Sequence, residues 1–169
     1  MPLPPAWALA LFYWIHLLAT VTWIGGIAAI SILVLPAARR TLQPLDQLAF
    51  LEAMQRRLEP LAWFSITALI ATGLFQMSAN EHYNGFLNAS TQWSLSILVK
   101  HGLGLVMGAV TALQTWEIFP AIRRTLMRKE KGASAQEIIL LQKREERLRK
   151  INLLLAVLIL GATALARAA

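Results

Sequence analysis

Few side chains in this sequence can do chemistry, and most of them sit inside apolar stretches. His16 lies in a run with no charged residue from Ala6 to Ala38, and Lys100 and His101 stand side by side in another. An ionisable group in such a run is costly, tends to face the interior of a helix bundle, and marks a site by default. An imidazole there can ligate a haem iron or bind a copper ion. It can equally donate a hydrogen bond to a backbone carbonyl or to a threonine of a neighbouring helix. Thr20 and Trp23 follow His16 at four- and three-residue steps, so the three share one helical face. Trp23 would wall a pocket beside the histidine or simply pack. Met77 and Met107 are soft donors for copper, although methionine is also ordinary core filler. His82 and Glu81 occupy a polar stretch and read as solvated, and Glu117 would carry a proton or reach to an interface.

Other chemistry is excluded. The sequence has no cysteine, which removes disulfides, thiolate metal sites, c-type haem attachment and cysteine nucleophiles. It has no nucleotide-binding glycine loop, paired-histidine zinc motif or serine elbow, so soluble-enzyme chemistry has no support.

The elements that must position these residues are membrane helices. A hydrophobic content of 57% against 15% charged residues falls outside the range of soluble domains. The net charge of +7 does not point to nucleic acid, because the basic residues form two blocks beside apolar runs and lack interleaved aromatics. A hydrocarbon core needs about 20 apolar residues of helix. The whole chain, 1–169, reads as one transmembrane domain. Its spans run over about 7–35, 58–77, 93–119 and 151–167, its basic connectors over 36–57 and 120–150, and its outer loop over 78–92. The first span is long enough to tilt; the fourth is short and borrows from its basic flank by snorkelling. The connectors hold nearly all of the lysine and arginine, whereas the N-terminal segment and the 78–92 loop hold none. The expected protein is therefore an all-α integral membrane four-helix bundle in a bacterial-type inner membrane, in contact with the lipid bilayer, with both termini outside. The N-terminus lacks a positive n-region and reads as retained.

Both connectors carry helical signals. Leu45, Leu48, Leu51, Met54 and Leu58 recur at helical spacing ahead of the second span. Ser134-Ala135-Gln136-Glu137 has the spacing of a capping box before the helix that leads into the fourth.

The phrase Pro36-Ala37-Ala38-Arg39-Arg40-Thr41-Leu42 returns 84 positions later as Pro120-Ala121-Ile122-Arg123-Arg124-Thr125-Leu126. It predicts two pseudo-repeated helical hairpins related by an axis along the membrane normal. The same offset brings His16 onto Lys100, Thr20 onto Gly104 and Trp23 onto Met107. His16 precedes Arg39 by 23 residues and His101 precedes Arg123 by 22, so the two histidines lie within about 1.5 Å of one depth. A haem b between them would have Gly102, Gly104 and Gly108 to lie against, and Lys100 would snorkel or pair with a propionate. Those glycines serve close helix packing equally well.

His16-Leu17-Leu18-Ala19-Thr20-Val21-Thr22-Trp23-Ile24-Gly25-Gly26, with Val34-Leu35-Pro36-Ala37-Ala38-Arg39, resembles the first helix of the membrane domain of copper-resistance protein D, the CopD family. Ala71-Thr72-Gly73-Leu74 and Leu98-Val99-Lys100 are similar to that family too. More distantly, the chain resembles the HemJ type of protoporphyrinogen oxidase, with His16 and Lys100 at its functional histidine and lysine. The first resemblance implies copper handling at the membrane; the second implies haem binding and porphyrinogen oxidation. The chain is shorter than typical CopD proteins and poor in methionine, and it departs from HemJ after Gly26. The expected function is a haem b or metal site in the outer half of the bundle, for redox or cofactor handling, held by His16 with His101 or Lys100 and flanked by Trp23. One alternative is copper uptake through His16, His101 and Met107. Another is an accessory subunit packed against a larger membrane complex or a second copy of itself.

Overall fold

The computed structural model describes residues 4–83, 85–128 and 135–168, apart from the side chain of Ala135. They form four long helices: α1, Ala6–Thr41; α2, Pro44–Ser78; α3, Gln92–Met127; and α4, Ala135–Ala168. No strand occurs among the described residues. Each helix is long and apolar enough to cross a bilayer, and helices satisfy every internal backbone group where no water can. The outer surface is correspondingly apolar, with Trp7, Phe64 and Leu105 more than 70% exposed. The chain is a multi-pass membrane protein whose surface meets lipid.

Helix ends follow local chemistry. Only Leu42 and Gln43 separate α1 from α2, and Pro44, with its φ already helical, opens the second helix. The leucine stripe of the first connector is therefore the start of α2 itself. Ser134, and with it the capping box expected before α4, lies outside the described residues. A capping box does open α3: Thr91 Oγ1 accepts from the Ser94 backbone N–H, and Ser94 Oγ accepts from the Thr91 N–H. Serine in place of the usual Glu or Gln makes that box hard to see in sequence.

The repeat is built into the backbone. Both α1 and α3 widen into a π turn, at Ile30–Val34 and Gln114–Ile118, again 84 positions apart. In the first, Leu35 N–H donates to Ile30 O, five residues back; in the second, Phe119 N–H donates to Gln114 O. Pro36 and Pro120 sit just beyond. A proline lacks the N–H for the carbonyl four residues back and its ring crowds that carbonyl, so the helix loosens by one residue ahead of it.

α1 packs along α2 and α3 along α4, giving two hairpins. At the arginine-rich end they exchange ion pairs. Arg39 of the first hairpin reaches Glu146 of the second at 2.7 Å, and Arg123 of the second reaches Glu52 of the first at 2.7 Å. Each acid also holds a cation one turn on, Arg56 for Glu52 and Lys150 for Glu146. Arg39 and Arg123 differ by 84 positions, but Glu52 and Glu146 differ by 94, as do Arg56 and Lys150. The returning helices thus correspond at a second offset, ten residues longer because the second connector is longer.

Two apolar clusters fill the bundle. Leu35, Leu48, Leu51, Ile118, Phe119 and Ile122 pack near the arginine end, and Trp23, Met107, Val110, Leu155 and Ala156 pack in the middle. Lipid is as apolar as leucine, so close packing and interhelical hydrogen bonds must hold these helices together.

Candidate metal site

His16 is fixed by the second helix. Its Nδ1 lies 2.8 Å from Thr72 Oγ1, and Thr72 Oγ1 donates to Ala68 O at 2.6 Å. A hydroxyl has one hydrogen, and the Ala68 carbonyl takes it, so Thr72 accepts from His16 and the proton is on Nδ1. Nε2 is left with a bare lone pair, the form in which imidazole binds metals. Gly73 lies against the ring: a Cβ there would stand 3.4 Å from His16 Cε1, in ordinary contact. Nearby, Phe12 and Phe75 stack at 3.9 Å, and Gln76 Nε2 donates to Phe12 O at 3.0 Å, so α1 and α2 are tied one turn from the histidine as well. Thr20, one turn on, donates to His16 O at 2.8 Å.

His101 has the same tautomer by a different route. Its Nδ1 lies 2.7 Å from Ile97 O; a carbonyl can only accept, so the proton is on Nδ1 and Nε2 is free. The Phe86 ring stands edge-on at 5.4 Å. Both Lys100 and His101 bear electrostatically on His16, so the repeat brings the two hairpins' ionisable groups to one end. Arg167 bears on Lys100 and covers the Tyr13 ring at 5.3 Å, a cation–π contact that closes the end of α4 over the same region.

The remaining candidates lie elsewhere. Trp23 and Met107 face each other at the next level, in the central apolar cluster, seven residues and about 10 Å along the helices from His16 and Lys100. Met107 is fully buried there, and Met77 is buried in α2. His82 bonds to Asn80 in the loop, and Glu117 pairs with Arg144 at 2.7 Å on an exposed face. A Cβ on Gly102, Gly104 or Gly108 would meet nothing within 4 Å, whereas one on Gly73 would touch the His16 ring. Among the described residues no three His, Cys, Asp or Glu side chains gather into a metal cluster.

A family profile described as copper resistance protein D, CopD, matches residues 52–166. This chain belongs to the CopD family. The matched region begins inside α2, so it takes in Thr72, Gly73, Lys100 and His101 and leaves His16 outside; it does not extend to the HemJ likeness. Searches of curated proteins and of solved structures return no match. In this CopD chain the Ala71-Thr72-Gly73-Leu74 phrase has a local purpose: Thr72 sets the His16 tautomer and Gly73 lies against its ring. Nothing in an apolar helix announces a threonine as a histidine's partner until the two helices are set side by side.

A second polar region lies beyond the Trp23–Met107 level. All four helices line a cavity of about 80 Å³, with Trp23 and Gly26 from α1, Gln55 from α2, Gln114 from α3, and Glu145 and Asn152 from α4 among its walls. The Trp23-Ile24-Gly25-Gly26 group therefore borders this cavity.

Proposed function

We propose that this chain handles copper ions at the membrane, taking the metal as cargo at the histidine end of the bundle. The observation that carries the reading is the His16–Thr72–Ala68 relay, which holds an imidazole in place with Nε2 free. Imidazole suits copper, and a ligand whose other nitrogen is anchored by a fixed partner binds more tightly than a loose one. His101, with its own Nε2 free, is the second donor. Lys100 repels a cation beside these imidazoles, which favours a cargo that leaves over a resident ion. Met107 is the next soft donor along α3. The basic end faces the cytoplasm of a bacterial-type inner membrane and both termini lie outside.

The test is copper titration of the detergent-purified full chain. His16→Ala should abolish the tightest binding, and Thr72→Val, which keeps the shape and loses the acceptor, should weaken it about 10- to 100-fold. Unchanged affinity in both variants sinks the reading. Two free imidazole nitrogens would also suit a haem iron, so the visible spectrum is recorded alongside. A Soret band lost in His16→Ala would replace copper by haem b in the same place. A colourless protein that binds no copper would leave the accessory-subunit reading, alone or as a homodimer.

A further inference from the structure

The central cavity takes most of its polar lining from the second hairpin, and the repeat shows that this is not an architectural need. At the 84-residue offset Thr111 and Gln114 correspond to Ile27 and Ile30; at the 94-residue offset Glu145, Arg149 and Asn152 correspond to Leu51, Gln55 and Leu58. The first hairpin builds the same turn of structure from mainly apolar residues. The second places a carboxylate, a guanidinium, two amides and a hydroxyl there, each at least nine-tenths buried. Such a set is expensive among membrane helices and is kept where ions or protons are handled.

The bonds within the set are incomplete. Asn152 Nδ2 donates to Gln114 Oε1 at 3.0 Å and to Thr111 Oγ1 at 3.3 Å. Asn152 Oδ1 is buried with no partner among the described residues. Arg149 gives its Nε to Glu145 Oε1 at 3.1 Å, and its terminal nitrogens have no bond to the described residues. A cavity of this size has room for two or three waters, and these groups offer them polar partners within an otherwise mainly apolar lining. The charged groups that bear on Glu145 are Arg149 and Glu146 of its own helix and Arg39 of α1; α2 and α3 face it with neutral residues.

We infer that this chamber is a hydrated proton-exchange site, with Glu145 as the group that takes and releases the proton and Arg149 as the partner that holds its charge when the proton is gone. Burial favours the neutral acid and the guanidinium favours the carboxylate. The single Nε contact is the hydrogen bond between them, so making or breaking it shifts the balance at Glu145. The proton moves between chamber water and a Glu145 carboxylate oxygen, and Arg149 stays protonated throughout. The inference rests on the cavity and the repeat and is independent of the copper reading.

Infrared difference spectra of the purified full chain, recorded as the pH is lowered, test it. The carbonyl band of a protonated carboxylic acid should grow in, shift on transfer to D2O, and be absent from Glu145→Gln. Arg149→Gln, which installs the residue of the first hairpin, should bring the same band in at neutral pH. If Glu145→Gln does not fold, the double variant Glu145→Leu/Arg149→Gln, built from first-hairpin residues, is the band-free control. A folded protein with no Glu145-dependent acid band at any pH overturns the proposal. A band that keeps its position in D2O overturns it too, since the pair would then be sealed from water.

Discussion

The two hairpins share a plan and divide the work. Each has a π turn, a proline after it, an arginine that crosses to the other hairpin, and an acid that receives the crossing arginine. Within that plan the first hairpin ties α1 to α2 at the histidine end through His16, Thr72 and Gln76, and it lines the cavity mainly with apolar residues beside Thr22 and Gln55. The second is polar deep inside, where Glu145, Arg149, Asn152, Gln114 and Thr111 line the cavity. Positions that are apolar in one copy and polar in the other are free of the shared architecture, and that freedom is what marks them as functional.

The largest effect should come from breaking the equivalence by halves. Glu145→Leu leaves Arg149 buried without its acid and should destabilise the bundle by about 3–5 kcal/mol. Adding Arg149→Gln completes the first-hairpin pattern and should restore stability to within about 1 kcal/mol of the parent, because apolar or neutral replacements of a buried pair are close to neutral. Denaturant titration in detergent micelles checks both; a double variant as unstable as the single one would dissolve the correspondence between α2 and α4.

Next in size is the room beside His16. Gly73→Ala sets a methyl at ordinary contact distance from the ring and should leave copper affinity nearly unchanged. Gly73→Val should push the ring off Thr72 and weaken binding about 10-fold or more, as loss of a ligand's second partner does. Gly102→Ala, facing open space, is the control on the other hairpin and should shift stability by no more than about 1 kcal/mol.

The crossing ion pairs should matter least to stability. Their arginines are about 40% exposed, so Arg39→Ala and Arg123→Ala should each cost no more than about 1 kcal/mol, and by nearly the same amount. The cysteine-free sequence offers a sharper check: Arg39→Cys with Glu146→Cys, and separately Arg123→Cys with Glu52→Cys, should both be joined by a bis-maleimide reagent that spans the length of an arginine–glutamate pair, a gap too wide for a direct disulfide. If only one pair is, the hairpins are not related as described.

Much of the architecture was legible. The four helices followed from apolar runs and basic connectors, and the PA-x-RR-TL phrase located the repeat; the π turns ahead of its prolines emerged only with the structure. The phrase could not reveal the second offset. The connector between α3 and α4 is longer than its counterpart, and past it no shared phrase remains, only Glu52 with Arg56 and Glu146 with Lys150. Beside the glycine-rich stretch of α3 the space is open, and the glycine that touches a neighbouring ring is Gly73. His16 was the residue to notice, and its partner was visible only as part of a family resemblance.

By itself the sequence determined a membrane protein of four helices in two related hairpins, because hydropathy, charge bias and a repeated proline–arginine phrase are properties of the chain read along its length. The tertiary structure alone decided which face of each helix meets which neighbour. That decision gave His16 its threonine and a free Nε2, set Trp23 and Met107 together one level below, and joined Thr111 and Gln114 to Glu145, Arg149 and Asn152 around one cavity. The physical reason is that a buried hydrogen bond or ion pair depends on distances of about 3 Å between side chains dozens of residues apart, and no local pattern encodes them.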